Sequence, residues 1–547
     1  MYMNLSTDRQ AAAKAGANEA ASARGRGKKA ALRTLGCKVN AYETDAMKAM
    51  LEDAGYEIVP FTEGADVYVI NTCSVTNIAD RKSRQMISRA RKLNPEAVVV
   101  AAGCYVQTAV DKTGLSVDAD IILGTNRKGE LVKLLRDYDE KRYGDASSLC
   151  HEASCPEASA ASEQVQKSHA AGESCADRES RADTGAGSQR GERAAAVHAV
   201  DDIFADREVE PLTVPRIQGH TRASVKVQDG CNMFCSYCII PYARGRVRSR
   251  QTEEVYQEIR NLADSGVKEV VLTGIHLSSY GVDHAADREG TWQERSKLID
   301  LIERVAEVPG IERIRLGSLE PTIITGEFCR RLRVIEKVCP HFHLSLQSGC
   351  DAVLERMNRH YTCEDYLERL QRLREAWVRP AITTDVIVGF PGETQEEFET
   401  TAAFLEKAQL YETHLFRYSK RAGTKAAAMA GQIEESVKAK RLSRLEKIAE
   451  KNRGAFIRTW ADEEVSVLIE EETKVLRDGL IRLPNAAGGS TDIDISDLGL
   501  RGKKLYSGYT RRYIRVLVPS DEDLISRTVK GNLLLDKIPL VYYNEAD

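Results

Sequence analysis

Two stretches of this chain alternate short apolar runs with polar segments of helical period, and the first stretch begins near Ala31. Short apolar runs, AALRTLGC, DVYVINTC, AVVVAAGC and IILG, are separated there by polar segments of helical period. Apolar runs of this length between helical segments are typical of strands in an α/β sheet. We therefore predict an N-terminal α/β domain over residues 30–141.

A second and longer α/β pattern covers residues 217–457. Six strand candidates, SVKVQ, EVVLTG, IRLGS, HFHLSLQ, ITTDVIVG and ETHLFRYS, alternate there with helical segments. This repetition predicts a partial (β/α)6 barrel, whose functional residues follow the carboxyl ends of the strands. Residues 458–540 contain short strand candidates with little helical pattern, which predicts a small β-barrel.

Composition predicts two segments that do not form a hydrophobic core, and it limits the kind of RNA-binding surface that the chain can have. Residues 1–29 and 142–210 are rich in small and charged residues, which predicts a disordered extension and a flexible linker or insertion. Lysine plus arginine (78) nearly balance aspartate plus glutamate (82), so an RNA-binding surface would have to be a local patch. No apolar run is long enough to span a membrane, and we expect a cytoplasmic protein.

The cysteine motif QDGCNMFCSYC is the strongest chemical signal. Cys231, Cys235 and Cys238 directly follow a strand candidate. Three thiolates at this spacing can bind three irons of a 4Fe–4S cluster and leave the fourth iron open to an external ligand. A zinc site completed by a fourth residue is the alternative, because spacing alone does not identify the metal.

Three further cysteines each end a strand candidate of the first domain: Cys37, Cys73 and Cys104. A single buried cysteine often does no more than pack in a core. The carboxyl ends of parallel strands lie at one edge of a sheet, so these three thiols can converge. The other cysteines fit no ligand motif; they are Cys150, Cys155 and Cys175 in the predicted linker, and Cys329, Cys339, Cys350 and Cys363 in the predicted barrel.

Basic side chains cluster in three places and suggest a surface for RNA phosphates and unpaired bases. A solvated helix face is the plain alternative for the first cluster. The clusters are Arg81, Lys82, Arg84, Arg89, Arg91 and Lys92; Arg244, Arg246, Arg248 and Arg250; and Arg511, Arg512 and Arg515.

The motif with Cys231, Cys235 and Cys238, followed by a β/α barrel, resembles the radical S-adenosylmethionine (SAM) enzymes. The resemblance implies that SAM chelates the open iron and is cleaved to a 5′-deoxyadenosyl radical. Candidate SAM contacts follow the strands, where glycine admits the cofactor and a carboxylate can bind ribose hydroxyls. Turn glycines and a barrel salt bridge are the alternative for these residues. They are Thr273, Gly274, Ser318, Glu320, Gln347 and Gly389.

The segments TLGCKVNAYETD, NTCSVTNIADRKSRQ and AAGCY resemble the N-terminal domain of the radical SAM methylthiotransferases. The resemblance implies a second 4Fe–4S cluster on Cys37, Cys73 and Cys104, one SAM as methyl donor and another as radical source. Lys38 and Val39 match the branch that methylthiolates carbon 2 of N6-threonylcarbamoyladenosine beside the tRNA anticodon. The segment YSGYTRRYIRVLVP resembles the TRAM RNA-binding module found in this family.

This resemblance also sets the expected partners and the alternatives. The partners would be the anticodon loop of tRNA, an electron donor such as flavodoxin or ferredoxin, and a sulfur source. The alternative substrates are N6-isopentenyladenosine in tRNA and a ribosomal protein, which are those of two other branches. A non-catalytic RNA-binding protein with structural zinc is the alternative of a different class.

Overall fold

The computed structural model describes most of the chain from residue 27 onward. The described residues are 27–113, 117–143, 195–215, 219–284, 289–476, 480–484, 490–495, 503–535 and 538–543. Cys150, Cys155 and Cys175 lie outside them, as do the first 26 residues of the predicted extension and much of the predicted linker. Within the described residues, no helix is both long and apolar enough to cross a membrane.

The first domain is a six-stranded parallel sheet with helices on both faces, in the strand order β2-β1-β3-β4-β5-β6. Strands β3 and β4 are buried along their whole length, as expected for central strands covered on both sides. The strands are β1 Lys29–Thr34, β2 Glu57–Ile58, β3 Val67–Thr72, β4 Val98–Gly103, β5 Ile121–Leu123 and β6 Val197–Ala199, and the helices are α1 Lys38–Asp53, α2 Asn77–Leu93, α3 Cys104–Thr113 and α4 Leu131–Tyr143.

Strand β6 lies within the range for which we predict a flexible linker. It pairs in parallel with β5 at the edge of the sheet. The segment after it is held by polar contacts: Gln107 Nε2 donates to the Asp201 carbonyl at 2.8 Å, and the backbone N–H of Gly129 donates to the Glu210 carboxylate. These contacts come from distant parts of the chain, so the composition of residues 195–210 does not reveal them.

The central part of the chain confirms the predicted partial (β/α)6 barrel. Strands β9 and β10 pair in parallel beside β7, and β11, β12 and β13 form a second parallel group. Parallel bridges from Ile314 to Val338 and from Leu319 to Leu344 join the two groups. The strands are β7 Arg222–Asp229, the short antiparallel β8 Arg248–Ser249, β9 Glu269–Gly274, β10 Arg313–Leu316, β11 His341–His343, β12 Ala381–Val388 and β13 Glu412–Arg417.

Helices surround these strands, and apolar side chains between the two layers form the largest core of the molecule. Helices α11 and α12 begin with capping boxes at Thr362 and Thr394, which satisfy backbone N–H groups of the first turn. The helices are α5 Ile240–Arg244, α6 Thr252–Asp264, α7 Trp292–Arg295, α8 Leu298–Ala306, α9 Gly326–Arg333, α10 Asp351–Arg356, α11 Cys363–Ala376, α12 Gln395–Ala408, α13 Lys425–Ala428 and α14 Glu435–Arg458.

The C-terminal part forms the predicted small barrel, closed in the strand order β14-β17-β18-β20-β19. The antiparallel pairing of β14 with both β17 and β19 closes it, and β15 and β16 form a separate hairpin. The strands are β14 Glu464–Glu472, β15 Leu480–Pro484, β16 Ser490–Asp494, β17 Lys504–Thr510, β18 Arg515–Ser520, β19 Thr528–Leu535 and β20 Pro539–Tyr543.

The C-terminal barrel docks on the amino ends of the core strands. Arg313 and Arg315 of β10 donate to the carbonyls of Tyr509 and Thr510, each at 2.8 Å. Arg222 at the start of β7 donates to the Tyr513 hydroxyl at 3.0 Å. The carboxyl ends of the core strands therefore face away from this barrel.

Candidate active site

The structure brings together the three cysteines of the first domain. Cys37 precedes α1, Cys73 follows β3 and Cys104 begins α3. Burial raises the pKa of Cys73 to about 11, and the nearby thiols of Cys104 and Cys37 add to this increase. Gly36 has a φ of +100°, and a Cβ at that position would lie 2.7 Å from the Cys73 sulfur. The backbone therefore passes close to these sulfurs only because residue 36 is glycine.

The second set of cysteines lies on the loop between β7 and α5. Backbone hydrogen bonds shape this loop: Cys231 N–H donates to the Gly245 carbonyl at 3.0 Å, and Cys238 N–H donates to the Cys235 carbonyl at 2.9 Å. Burial raises the pKa of Cys231 to about 12, with a further contribution from Cys235. Thiols of this kind have to lose their protons when a metal binds.

Arg359 connects the second set to a buried carboxylate. Its guanidinium donates to the Cys235 sulfur at 3.3 Å and to Glu320 Oε2 at 2.6 Å. Burial alone would raise the pKa of Glu320, but Arg359 and His276 keep it below its usual value. Among the described residues, Glu320 Oε1 is buried without a hydrogen-bond partner, which fits a site that receives a polar ligand.

The six predicted SAM contacts all lie at or just beyond the carboxyl ends of core strands. Gln347 lines a cavity together with Cys238, and Glu320 pairs with Arg359. The two glycines face protein atoms: a Cβ on Gly274 would meet the Gln228 side chain, and a Cβ on Gly389 would meet Lys438. Packing alone thus explains both glycines. The SAM contacts of Thr273, Gly274, Ser318, Glu320, Gln347 and Gly389 stay a prediction.

A cavity of about 270 Å³ is bordered by Cys238 and by residues that closely follow Cys73. One wall contains Val75 and Thr76, which follow Cys73, and another contains Tyr237 and Cys238. Strands β12 and β13 supply the remaining walls, among them Asp385, Ile387 and Phe416. Residues next to both sets of sulfurs therefore border one cavity.

A buried ionic network supports the first set of cysteines. Glu43 of α1 contacts Arg244 at 2.7 Å, Lys226 at 2.8 Å and Lys128 at 3.0 Å. Arg244 also reaches Asp229 at 3.1 Å. Although burial alone would raise the pKa of Glu43, these three cations hold it well below its usual value. Three cations thus face two carboxylates in a region closed to solvent.

Arg244 links this network to the first set of cysteines. Its Nε donates to the Cys104 sulfur at 3.2 Å, and Nη2 donates to Asn40 Oδ1 at 2.6 Å. Sequence reasoning missed Glu43, Arg244 and Arg359 as residues that hold the site. The sequence signal that could have identified Glu43 is its position, because Asn40 and Glu43 lie one helical turn apart directly after Cys37.

The structure corrects the prediction that Arg244, Arg248 and Arg250 bind RNA. All three are buried: Arg248 pairs with Asp206 at 3.4 Å, and Arg250 pairs with Glu258 at 2.5 Å. Arg246 is the member of this cluster that remains exposed. A run of arginines on alternate positions cannot, by sequence alone, be assigned to a surface or to a buried network.

The arginines of the C-terminal barrel are also engaged within the protein. Arg511 donates to the Val338 carbonyl at 2.9 Å, and Arg512 donates to the Val378 carbonyl at 2.9 Å and lies over the Trp460 ring. Arg515 pairs with Glu471 at 3.1 Å. Arg511 and Arg512 therefore hold the barrel to the core. From the sequence, only an RNA contact was predicted for them.

Helix α2 carries the basic cluster that faces solvent. Its buried side, Ser83, Ile87 and Ala90, packs against the sheet. Arg91 points inward and pairs with Asp120 at 2.6 Å, so it does not belong to the exposed face. The exposed basic residues are Arg81, Lys82, Arg84, Arg89 and Lys92.

Comparisons with known proteins match this architecture. Residues 225–405 match the model of the Radical SAM superfamily, and residues 29–124 match the uncharacterized protein family UPF0004. The threonylcarbamoyladenosine tRNA methylthiotransferase MtaB of Bacillus subtilis is 36% identical over 94% of this chain and 95% of its own length. The protein of the same name from Aquifex aeolicus is 37% identical over 83% of this chain and 95% of its own.

A relative with a different named substrate is also similar. The tRNA-2-methylthio-N(6)-dimethylallyladenosine synthase of Moorella thermoacetica is 33% identical over 91% of this chain and 94% of its own length. The two named activities share the methylthio product and differ in the group on the adenine.

Proposed function

The chain belongs to the radical SAM methylthiotransferases that modify tRNA, and from this premise we propose that it methylthiolates carbon 2 of N6-threonylcarbamoyladenosine next to the anticodon. The observation that carries the proposal is the cavity bordered by Cys238 of one set and by Val75 and Thr76, which closely follow Cys73 of the other. A reaction that removes a hydrogen and installs sulfur at the same carbon needs both functions within reach of one bound base.

Membership of the family brings SAM and a 4Fe–4S cluster with it. We assign that cluster to Cys231, Cys235 and Cys238, and a second one to the set Cys37, Cys73 and Cys104. The donor sets fit, because each offers the three thiols that a cubane with one open iron requires. When bound, the first cluster with SAM supplies the radical and the second supplies the sulfur.

The protein's own residues position these groups and shield the reaction. Arg359 and Arg244 each donate to one cysteine sulfur, Cys235 and Cys104 respectively. Hydrogen bonds to ligand sulfurs and charges near a cluster help to set its reduction potential. An enzyme that acts on a base requires that base to leave the stack of the anticodon loop. We also expect a low-potential electron donor such as flavodoxin or ferredoxin, and a separate source of sulfur.

The exposed basic face of α2 is the proposed site for the phosphates of the anticodon stem-loop. It lies directly after Val75 and Thr76 of the cavity wall. Exposed lysines and arginines bind phosphates mainly through charge and release counterions when they do so.

Replacing Lys82 and Arg89 together by alanine is expected to weaken binding of an anticodon stem-loop by roughly tenfold. The slope of log Kd against log salt concentration should fall by about 1 for each phosphate that the variant no longer binds. Fluorescence anisotropy at several salt concentrations measures both. Arg330→Ala, an exposed arginine on α9, is the matched control and should leave the slope unchanged. An unchanged slope in the double variant would place the RNA elsewhere.

Nucleoside analysis of tRNA tests the proposed substrate. Deleting the gene should remove 2-methylthio-N6-threonylcarbamoyladenosine and leave its precursor, while derivatives of N6-isopentenyladenosine stay unchanged. The purified protein, with iron, sulfide, SAM and a reductant, should form the same product on tRNA that carries the precursor. Loss of the isopentenyl derivative instead would assign the chain to the other tRNA branch. Zinc without SAM cleavage would leave an RNA-binding protein, and an unmodified tRNA profile with a change in a ribosomal protein would indicate the third branch.

A further inference from the structure

A segment of the core, residues 418–426, lies beside the loop that carries the second set of cysteines. We call it the bridging segment; it follows β13 and ends in α13. At its far end, the backbone N–H of Ala426 donates to the carbonyl of Ser236 at 2.8 Å, and Ser236 lies between two cysteines of that set. At its near end, Tyr418 borders the same cavity as Cys238. The bridging segment is therefore tied to the second set of cysteines.

Arg421, in the middle of the bridging segment, reaches across to the first domain. Its Nη2 donates to Ser74 Oγ at 2.7 Å, and its Nη1 donates to Asn77 Oδ1 at 2.8 Å and to Asp80 Oδ2 at 2.6 Å. Ser74 directly follows Cys73, and the other two acceptors lie in the first turn of α2. The arginine side chain is only 8% exposed, so water competes weakly for these hydrogen bonds. Arg421 thus connects the core to the loop after Cys73.

Contacts in the opposite direction reinforce this connection. The backbone N–H of Asn77 donates to Ser419 Oγ at 3.1 Å, and Asn77 Nδ2 donates to the Lys420 carbonyl at 2.9 Å. Within the bridging segment, the Thr424 hydroxyl donates to the Arg421 carbonyl at 2.7 Å and holds the turn. The start of α2 and the bridging segment therefore meet through side-chain and backbone groups of both.

Ser74 extends the connection to another cysteine of the first set. Its hydroxyl lies 3.1 Å from Thr108 Oγ1, and the Thr108 hydroxyl donates to the Cys104 carbonyl at 3.1 Å. Because Thr108 uses its proton in that bond, Ser74 donates to Thr108 and accepts from Arg421. One chain of hydrogen bonds therefore runs from Arg421 to the backbone of Cys104, and it passes directly beside Cys73.

We propose that Arg421 is a positioning residue, which holds the first set of cysteines at the separation from the second set that methylthiolation requires. This inference rests on the proposed function, in which the radical and the sulfur have to meet at one carbon of the bound base. A misplacement of about 1 Å can slow such a step about 100-fold. Arg244 and Arg359 each donate to a sulfur of one set, whereas Arg421 connects the surroundings of both sets.

Arg421→Met tests this role, because methionine keeps an unbranched side chain and removes all three hydrogen bonds to the first domain. On tRNA that carries N6-threonylcarbamoyladenosine, the reconstituted variant should methylthiolate about 10- to 100-fold more slowly than the wild type. Its formation of 5′-deoxyadenosine from SAM should stay nearly unchanged, because the second set keeps its own contacts. The amount of 5′-deoxyadenosine per methylthiolated nucleoside should therefore rise at least about tenfold. Mass spectrometry measures both products in one reaction mixture.

A spectroscopic measurement on the reduced, reconstituted protein tests the geometry without turnover. Pulsed EPR of the dipolar coupling between the two clusters should give a narrow distribution of separations in the wild type and a broader or shifted one in Arg421→Met. Arg421→Lys should restore part of the wild-type result, since its ammonium can still pair with Asp80. The Kd for an anticodon stem-loop should be the same in the wild type and in Arg421→Met, because the exposed basic face of α2 is unchanged.

Two further variants separate positioning from a general loss of ion pairs. Arg331→Met is the matched control, because Arg331 also makes three hydrogen bonds to carboxylates, and these lie on α8 within the core. It should leave the product ratio and the separation of the clusters unchanged. Asp80→Ala removes an acceptor from the other side of the connection and should raise the product ratio as Arg421→Met does. The double variant should add little, since both changes break one contact.

A wild-type product ratio and a wild-type cluster separation in Arg421→Met would overturn the inference. An equal fall in SAM cleavage and methylthiolation would also overturn it, since Arg421 would then only support folding. If Arg421→Met does not fold, Asp80→Ala and Arg421→Lys decide by the same two measurements. Failure of the proposed function looks different: the wild type would not methylthiolate this tRNA, and the separation of the clusters would still test Arg421.

Discussion

Cys235→Ala is expected to abolish SAM cleavage, whereas Cys73→Ala is expected to retain it and to abolish only methylthiolation. Each substitution removes one of the three thiolates assigned to a cluster. The two sets come from different domains, Cys73 from the edge of the first sheet and Cys235 from the loop after β7. Loss of one cluster should therefore leave the other domain folded and loaded.

Iron content and formation of 5′-deoxyadenosine, measured after anaerobic reconstitution, report cluster loading and SAM cleavage separately. The wild type should hold about eight irons per chain, and each variant about four. Cys363→Ser is the control, because this half-buried cysteine at the start of α11 belongs to neither set. Equal loss of SAM cleavage in both cysteine variants would contradict independent clusters. Zinc in place of iron would contradict the radical mechanism altogether.

Arg244→Met is expected to destabilise the protein by about 3–5 kcal/mol, the usual cost of breaking a buried ion pair from one side. The substitution leaves Glu43 and Asp229 with fewer cations in a region closed to solvent. It also removes the donor to the Cys104 sulfur. The iron bound by the first set should fall more than the iron bound by the second.

Thermal unfolding and iron analysis of the reconstituted protein check this expectation. Arg246→Met is the matched control, because this residue lies two positions away, is exposed and contacts the ring of Phe204. A surface substitution of this kind changes stability by no more than about 0.5 kcal/mol. If both variants melt alike and retain the same iron, the network contributes little to stability, and Arg244 does not support the first set of cysteines.

Local patterns in the sequence were enough to predict most elements of this fold. The apolar runs that end at Cys37, Cys73 and Cys104 correspond to the sheet edge where the sulfurs meet, and six alternating units correspond to the core barrel. Both predictions use the same physical rule, namely that parallel strands place their carboxyl ends together.

Whether a charged side chain is buried or exposed could not be predicted in this way. The arginines that follow Cys238 have the composition of a phosphate-binding patch, yet three of them are buried and paired with carboxylates, of which Glu43 and Asp206 come from distant segments. Glu43 lies about 200 residues before Arg244 in the chain, and no local pattern indicates such a pair. Strand β6 was not predicted for the same reason. It is a strand because it pairs with β5, and its own sequence carries no strand pattern.

The ionic network around Glu43 also bears on the order in which the chain matures. Glu43 and Lys128 are synthesised well before Lys226, Asp229 and Arg244, which lie roughly one hundred residues further along. A domain that completes its folding during synthesis needs its buried charges matched from within. The first sheet can form early, but its carboxyl edge closes only when β7 and α5 arrive. Until then Lys128 is the only one of its three cationic partners that Glu43 can meet, so the network and its contact with Cys104 are complete only after Arg244 has been synthesised.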